Sequence, residues 1–198
     1  MTPFAIAGVQ MHVAALHSNV EGMKERLDVL MARFPWTQMV VFSELAAFGP
    51  LHQYALPFPN DTLRMFQDEA RRHKIWLIPG SMFEKAEDGR IYNTSVVINP
   101  DGEIIRTYRK MFPFKPYEAD ISSGSDFCVF DVPGVGRFGL SICYDIWFPE
   151  VCRQLAWMGA EVVINPVATT TSDRAQEHVL IRANAIFNQV FLVSVNAS

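Results

Sequence analysis

The stretch from Arg137 to Gly159 constrains the fold more than any other. An apolar run rises from Arg137 to Ile142, stops at Cys143, and gives way to Tyr144-Asp145-Ile146-Trp147-Phe148-Pro149. A helical pattern then runs from Pro149 to Met158. Proline suits the first helical turn, where its missing N–H costs nothing, and Gly159 suits the residue just past the helix end. The stretch therefore reads as strand, sharp turn and helix, with Cys143 at the C-terminal tip of the strand. Exposed backbone N–H groups at such a turn favour a thiolate and a developing oxyanion. The alternative is a buried structural cysteine.

Around this stretch the order of elements is informative. Strands are expected over Phe4–Val9, Gln38–Ser43 and Ile75–Ile78, with helices over Val20–Phe34 and from Leu63 to near His73. Ser18-Asn19-Val20-Glu21 has the spacing of a capping box ahead of the first helix. Residues 45–60 hold three prolines and a glycine and read as loop. The middle of the chain changes character: Met82–Phe83, Tyr92–Ile98 and Glu103–Tyr108 are strands joined by tight turns. A loop over 111–126 leads to a further hairpin, Phe127–Val132 with Phe138–Ile142. A strand over Glu161–Asn165, a helix from Asp173 to about Gln189 and a strand over Val190–Val195 complete the order. Helices alternating with strands at both ends, with hairpins between, argue for an α/β domain of mixed sheets with helices outside. Residues 1–198 read as one domain, with no linker and no repeats.

Composition narrows the function. A net charge of −4 with no long basic run argues against nucleic acid and against an anionic membrane surface. There is no basic leader at Met1–Gln10 and no run of ~20 apolar residues. Three cysteines, Cys128, Cys143 and Cys152, make no disulfide framework and suit the cytoplasm. The five histidines show no metal-ligand spacing with a cysteine or carboxylate, so no metal is expected.

Three ionisable residues end or follow strands: Glu44, Lys110 and Cys143. Strand C-termini gather at one edge of an α/β sheet, where sites form. A carboxylate there can take a thiol proton, and an ammonium can favour the thiolate and hold a tetrahedral oxygen. Taken singly, Glu44 is also readable as a solvated loop carboxylate and Lys110 as a surface charge. Spacing does not bring the three together.

The chain resembles the nitrilase superfamily, the carbon–nitrogen hydrolases acting on non-peptide amides and nitriles. Phe42-Ser43-Glu44, Tyr108-Arg109-Lys110 and Gly139 to Glu150 match its three motifs, and Gly159 to Pro166 matches the following strand. Arg182-Ala183 with Asn188-Gln189 resembles a later helix, and the match runs from residue 4 to 198. The resemblance implies a four-layer α-β-β-α sandwich and no cofactor. It implies Glu44 as general base, Lys110 as stabiliser of the oxyanion and intermediate, and Cys143 as nucleophile. The second carboxylate maps onto Glu118, in a segment from Lys110 that resembles the aliphatic-amidase branch. The backbone N–H of Tyr144 would face the oxyanion. The implied reaction is hydrolysis of a small aliphatic amide to carboxylate and ammonia through a Cys143 thioester. The alternatives are nitrile or N-carbamoyl hydrolysis at the same site, or a non-catalytic binding partner. Ser43 stands where the family often has proline, and Phe187 where it usually has a glutamate of a buried pairing. The resemblance also implies a homodimer or larger assembly through the helices after Cys143 and Gly159.

Two further expectations follow. The turn and Lys110 should depress the Cys143 pKa, with Glu44 and burial opposing, and Cys143 should alkylate faster than Cys128 or Cys152. Val190–Val195, apolar throughout save Ser194, reads as a strand inside a sheet. In the resembling family further strands follow this point, so the 198 residues are expected to be part of a longer chain or to be covered by a partner.

Overall fold

The structure, a computed structural model, describes residues 3–115, 117–169 and 172–198. The apolar runs of the chain become two sheets flanked by helices. Strands β1 (Ile6–Val9), β2 (Met39–Phe42), β3 (Trp76–Ile78), β4 (Ser81–Lys85), β5 (Ile91–Ile98) and β6 (Ile104–Arg109) form the first sheet. β1, β2 and β3 are parallel, while β3, β4 and β6 all pair antiparallel with the long β5. Strands β7 (Cys128–Val132), β8 (Gly136–Leu140), β9 (Val162–Val167) and β10 (Phe191–Asn196) form the second, in the order β10-β9-β8-β7.

Strand periodicity decides which residues enter which layer. Successive side chains of a strand point to opposite faces. On β2, Val40 and Phe42 join Met23, Leu27 and Met31 of helix α1 (Val20–Arg33) and Leu63, Phe66 and Ala70 of helix α2 (Asp61–His73). Met39 and Val41 point the other way, into the space between the sheets, against Phe130, Phe138, Leu140 and Ile164. On the far side, Val151, Cys152 and Leu155 of helix α3 (Pro149–Trp157) pack on Val163. Helix α4 (Arg174–Asn188) lies beside α3. Three apolar layers thus separate helix, sheet, sheet and helix, which is the expected α-β-β-α sandwich.

Two local expectations are corrected, and one helix docks against its own apolar pattern. The capping box at Ser18 does not form: the Asn19 side chain instead clasps Ala14, accepting from its N–H at 2.9 Å and donating to its carbonyl at 3.0 Å. β10 is an edge strand rather than an interior one, pairing with β9 alone, and Phe191 is 60% exposed. α4 is turned opposite to its apolar pattern. It buries Glu177 and Asn184 and exposes Val179, Ile186 and Phe187. Phe187, where the resembling family carries a glutamate, therefore faces outward. The buried carboxylate of this helix is Glu177, paired with Arg174.

Candidate active site

The site lies where strand ends of the two sheets meet. β2 runs into Glu44, whose backbone N–H donates to the Val167 carbonyl of β9 at 3.3 Å, tying one sheet to the other. Close backbone packing sets this strand end. Gly80, at φ +78°, sits so near that a β-carbon there would lie 1.8 Å from the Ser43 carbonyl oxygen. The next residue, Ser81, accepts the Leu45 N–H at 3.1 Å. β6 ends at Arg109 and delivers Lys110, whose N–H donates to the Asn93 carbonyl at 2.8 Å.

Lys110 is only 1% exposed and lies between two carboxylates. Its Nζ is 2.8 Å from Glu44 Oε1 and 2.7 Å from Glu118 Oε2. Asn93 closes the arrangement: its Nδ2 donates to Glu44 Oε1 and to Glu118 Oε1, each at 2.9 Å. Glu118 Oε2 also takes the Phe114 N–H at 2.6 Å. A buried charge persists only when paired and hydrogen-bonded, and this ammonium and the carboxylates satisfy one another.

Cys143 opens a single 3₁₀ turn, Cys143–Trp147, inserted between β8 and α3. That turn, rather than a direct step from strand to helix, is how the chain reverses. Cys143 takes φ +45°, a left-handed conformation that costs a non-glycine residue roughly 1–3 kcal/mol and persists only where its surroundings enforce it. Its thiol feels the Glu44 carboxylate, and its Sγ lies 3.7 Å from Thr169 Oγ1. Thr169 is fixed by Asn196 of β10, which accepts its N–H at 2.8 Å and donates to its carbonyl at 2.9 Å. Tyr144 follows, its ring 4.8 Å from that of Phe114 and 5.4 Å from that of Phe148. The structure thus brings together Glu44, Lys110, Cys143 and Glu118, which are 66 residues apart between Glu44 and Lys110 alone.

The electrostatics depart from one expectation. Burial, and then the Glu44 carboxylate, push the Cys143 thiol well above its ordinary value; Lys110 and the Ala168 N–H only partly offset this. The resting cysteine is therefore a thiol, because burial and the carboxylate together count for more than the ammonium. Burial likewise lifts Glu44 above the ordinary carboxylate range, against the pull of Lys110. Burial works on Glu118 in the same direction, but Lys110, the Phe114 N–H and Asn93 hold it below. Burial opposes the charge on Lys110, yet Glu44, Cys143 and Glu118 together carry its pKa upward. A carboxylate with raised proton affinity beside a thiol is suited to taking that proton when a substrate arrives.

Residues 5–197 match the model of the carbon–nitrogen hydrolase family. The chain belongs to that family. It is similar to a formamidase of Bacillus cereus, at 28% identity over 95% of this chain and 55% of the relative. It thus spans little more than half the length of the curated relatives it matches. Saccharomyces cerevisiae Nit3, a member of branch 10 of the nitrilase superfamily, superposes with a TM-score of 0.86 at 28% identity, over 98% of this chain and 76% of that one. An amidase from Nesterenkonia sp. superposes with a TM-score of 0.86 at 23% identity, again over 98% and 76%, and shares the fold.

Within this carbon–nitrogen hydrolase, the sequence motifs do not single out Asn93, Asp145, Thr169 or Asn196. A signal for Asn93 existed: Asn93-Thr94-Ser95 is a polar triplet inside the otherwise apolar β5, and all three are buried. Thr94 donates to Glu84 at 2.7 Å and Ser95 to the Gly80 carbonyl at 2.6 Å, so each has a partner in the adjoining strand end. Among the described residues, Asp28, Glu69 and His73 are close enough to share a cation. They lie on α1 and α2, where Arg72 and Lys24 already supply positive charge, so they staple the two helices together. No helix among the described residues is long and apolar enough to cross a membrane.

Proposed function

We propose that this carbon–nitrogen hydrolase cleaves small aliphatic amides to carboxylate and ammonia through a thioester on Cys143. The observation that carries this reading is the buried Lys110, held between Glu44 and Glu118 beside a strained cysteine. Glu44 takes the Cys143 proton as sulfur attacks the amide carbon. The carbonyl oxygen gains charge, which Lys110 and the Tyr144 backbone N–H stabilise. Glu44 then gives its proton to nitrogen, the carbon–nitrogen bond breaks, and ammonia leaves an acyl-thioester. Water, deprotonated by Glu44, attacks that acyl carbon; sulfur departs, regains the proton from Glu44, and the carboxylic acid is released. Glu118 keeps Lys110 in place and faces the substrate amide. Relatives named formamidases make formamide the first substrate to offer, with acetamide beside it.

Cys143→Ala is expected to lower ammonia release from these amides by about a thousandfold or more, with an unchanged circular dichroism spectrum. Full residual turnover would exclude the thioester route. All three cysteines are free thiols, the state a reducing compartment such as the cytoplasm maintains.

The outward-turned face of α4 supports a homodimer. Val179, Ile186 and Phe187 are each at least 65% exposed, and Trp157 of the neighbouring α3 is 77% exposed. A helix that buries Glu177 and shows phenylalanine to solvent lacks its apolar cover, and a second copy of the same face would provide it. Light scattering at micromolar concentration should give at least twice the monomer mass, and Phe187→Glu with Ile186→Asp should return it to the monomer. A wild-type monomer would rule this interface out.

A further inference from the structure

Cys143 and Lys110 are delivered by different sheets, yet one side chain spans the join. Asp145 is fully buried. Its Oδ2 accepts the Tyr108 hydroxyl at 2.7 Å and the Ile142 N–H at 2.9 Å. Its Oδ1 accepts the Phe112 N–H at 2.9 Å and the Met111 N–H at 3.2 Å. Three of these donors flank Lys110 in the chain, and the fourth immediately precedes Cys143. The Asp145 N–H in turn donates to the Ile142 carbonyl at 3.0 Å, so side chain and backbone close a ring around Cys143 and Tyr144.

We propose that Asp145 is a positioning residue, whose carboxylate locks the strained Cys143 turn to the strand end that presents Lys110. This rests on the reading of Cys143 and Lys110 as reacting groups. The chemistry selects a carboxylate. Four donors converge on two oxygens, and an ionised carboxylate is the side chain with enough lone pairs to accept them all. An asparagine would turn its own N–H groups against two of those donors. The left-handed φ at Cys143 gives the lock its purpose, since an unsupported turn would relax and carry the thiol away from Glu44 and Lys110. Burial pushes Asp145 up to about 6, with the Ile142 N–H, Tyr108, Lys110 and the Phe112 N–H pulling back, so it is ionised at neutral pH. Tyr108, raised well above its ordinary value by burial and by this carboxylate, stays a protonated donor throughout.

The test is the rate of Cys143 alkylation by iodoacetamide from pH 5 to 10, read by mass spectrometry on folded protein. Asp145→Asn should raise the rate at neutral pH about tenfold and move the rising limb down by about one pH unit, because a thiol carried out of its buried place and away from Glu44 ionises earlier even as it leaves Lys110. Tyr108→Phe, which removes one donor and leaves no orphan, should shift both in the same direction by a smaller amount. A folded Asp145→Asn with the wild-type rate and profile overturns the proposal. If Asp145→Asn does not fold, a wild-type profile in Tyr108→Phe overturns it equally. Wild-type Cys143 labelling no faster than Cys128 or Cys152 would instead refute the nucleophile reading, and this inference with it.

Discussion

Replacing Lys110 with methionine should abolish turnover and cost about 3–5 kcal/mol of stability at pH 8, the range found when one partner of a buried ion pair is removed. Methionine matches the length of the aliphatic stem, so the loss is chiefly electrostatic. Without the ammonium, Glu44 and Glu118 face each other in the interior with Asn93 as their shared donor. Burial already raises Glu44, and the mutual repulsion that Lys110 now offsets would raise one carboxyl further. The sign of the pH dependence follows. A carboxyl whose folded pKa lies above its unfolded value contributes stability below the unfolded value and loses it as pH rises through the folded one. Lys110→Met should therefore be closer to wild type at pH 5 than at pH 8. Urea unfolding midpoints at the two pH values measure this. A midpoint equal to wild type at pH 8 would mean that the carboxylates are not held by Lys110.

Gly80→Ala should be nearly as damaging, although Gly80 carries no chemistry. The new β-carbon would lie 1.8 Å from the Ser43 carbonyl oxygen, and the backbone holds φ +78°. The left-handed conformation and the forced backbone shift together cost about 2–5 kcal/mol. Ser43 precedes Glu44, so the shift also moves the carboxylate that touches Lys110 and Cys143, and kcat should fall with the melting temperature. Gly89→Ala provides the control. Gly89 has φ +83° with nothing within 4 Å of the added carbon, so only the conformational cost of about 1–2 kcal/mol applies. Equal melting temperatures for the two variants would show that the Gly80 contact is soft.

The sequence alone determined the elements and the chemical groups. The short continuous apolar run Met39–Phe42 and the Pro149–Gly159 punctuation are local properties, and they placed β2 and α3 within a residue or two. Three ordered motifs named Glu44, Lys110 and Cys143, with Glu118 following from the same resemblance. Tertiary structure decided everything that depends on a partner far along the chain. Asn93 gains its role because β5 passes beneath both carboxylates, and Asp145 because Tyr108, Met111 and Phe112 arrive from 33 to 37 residues away. The Cys143 thiol lies above its ordinary pKa because burial and Glu44 together outweigh Lys110, a balance of distances that no spacing encodes. The edge position of β10 and the outward face of α4 are likewise properties of sheet order and helix docking: an apolar run specifies that something must cover it, and only the assembled layers say which side is left uncovered.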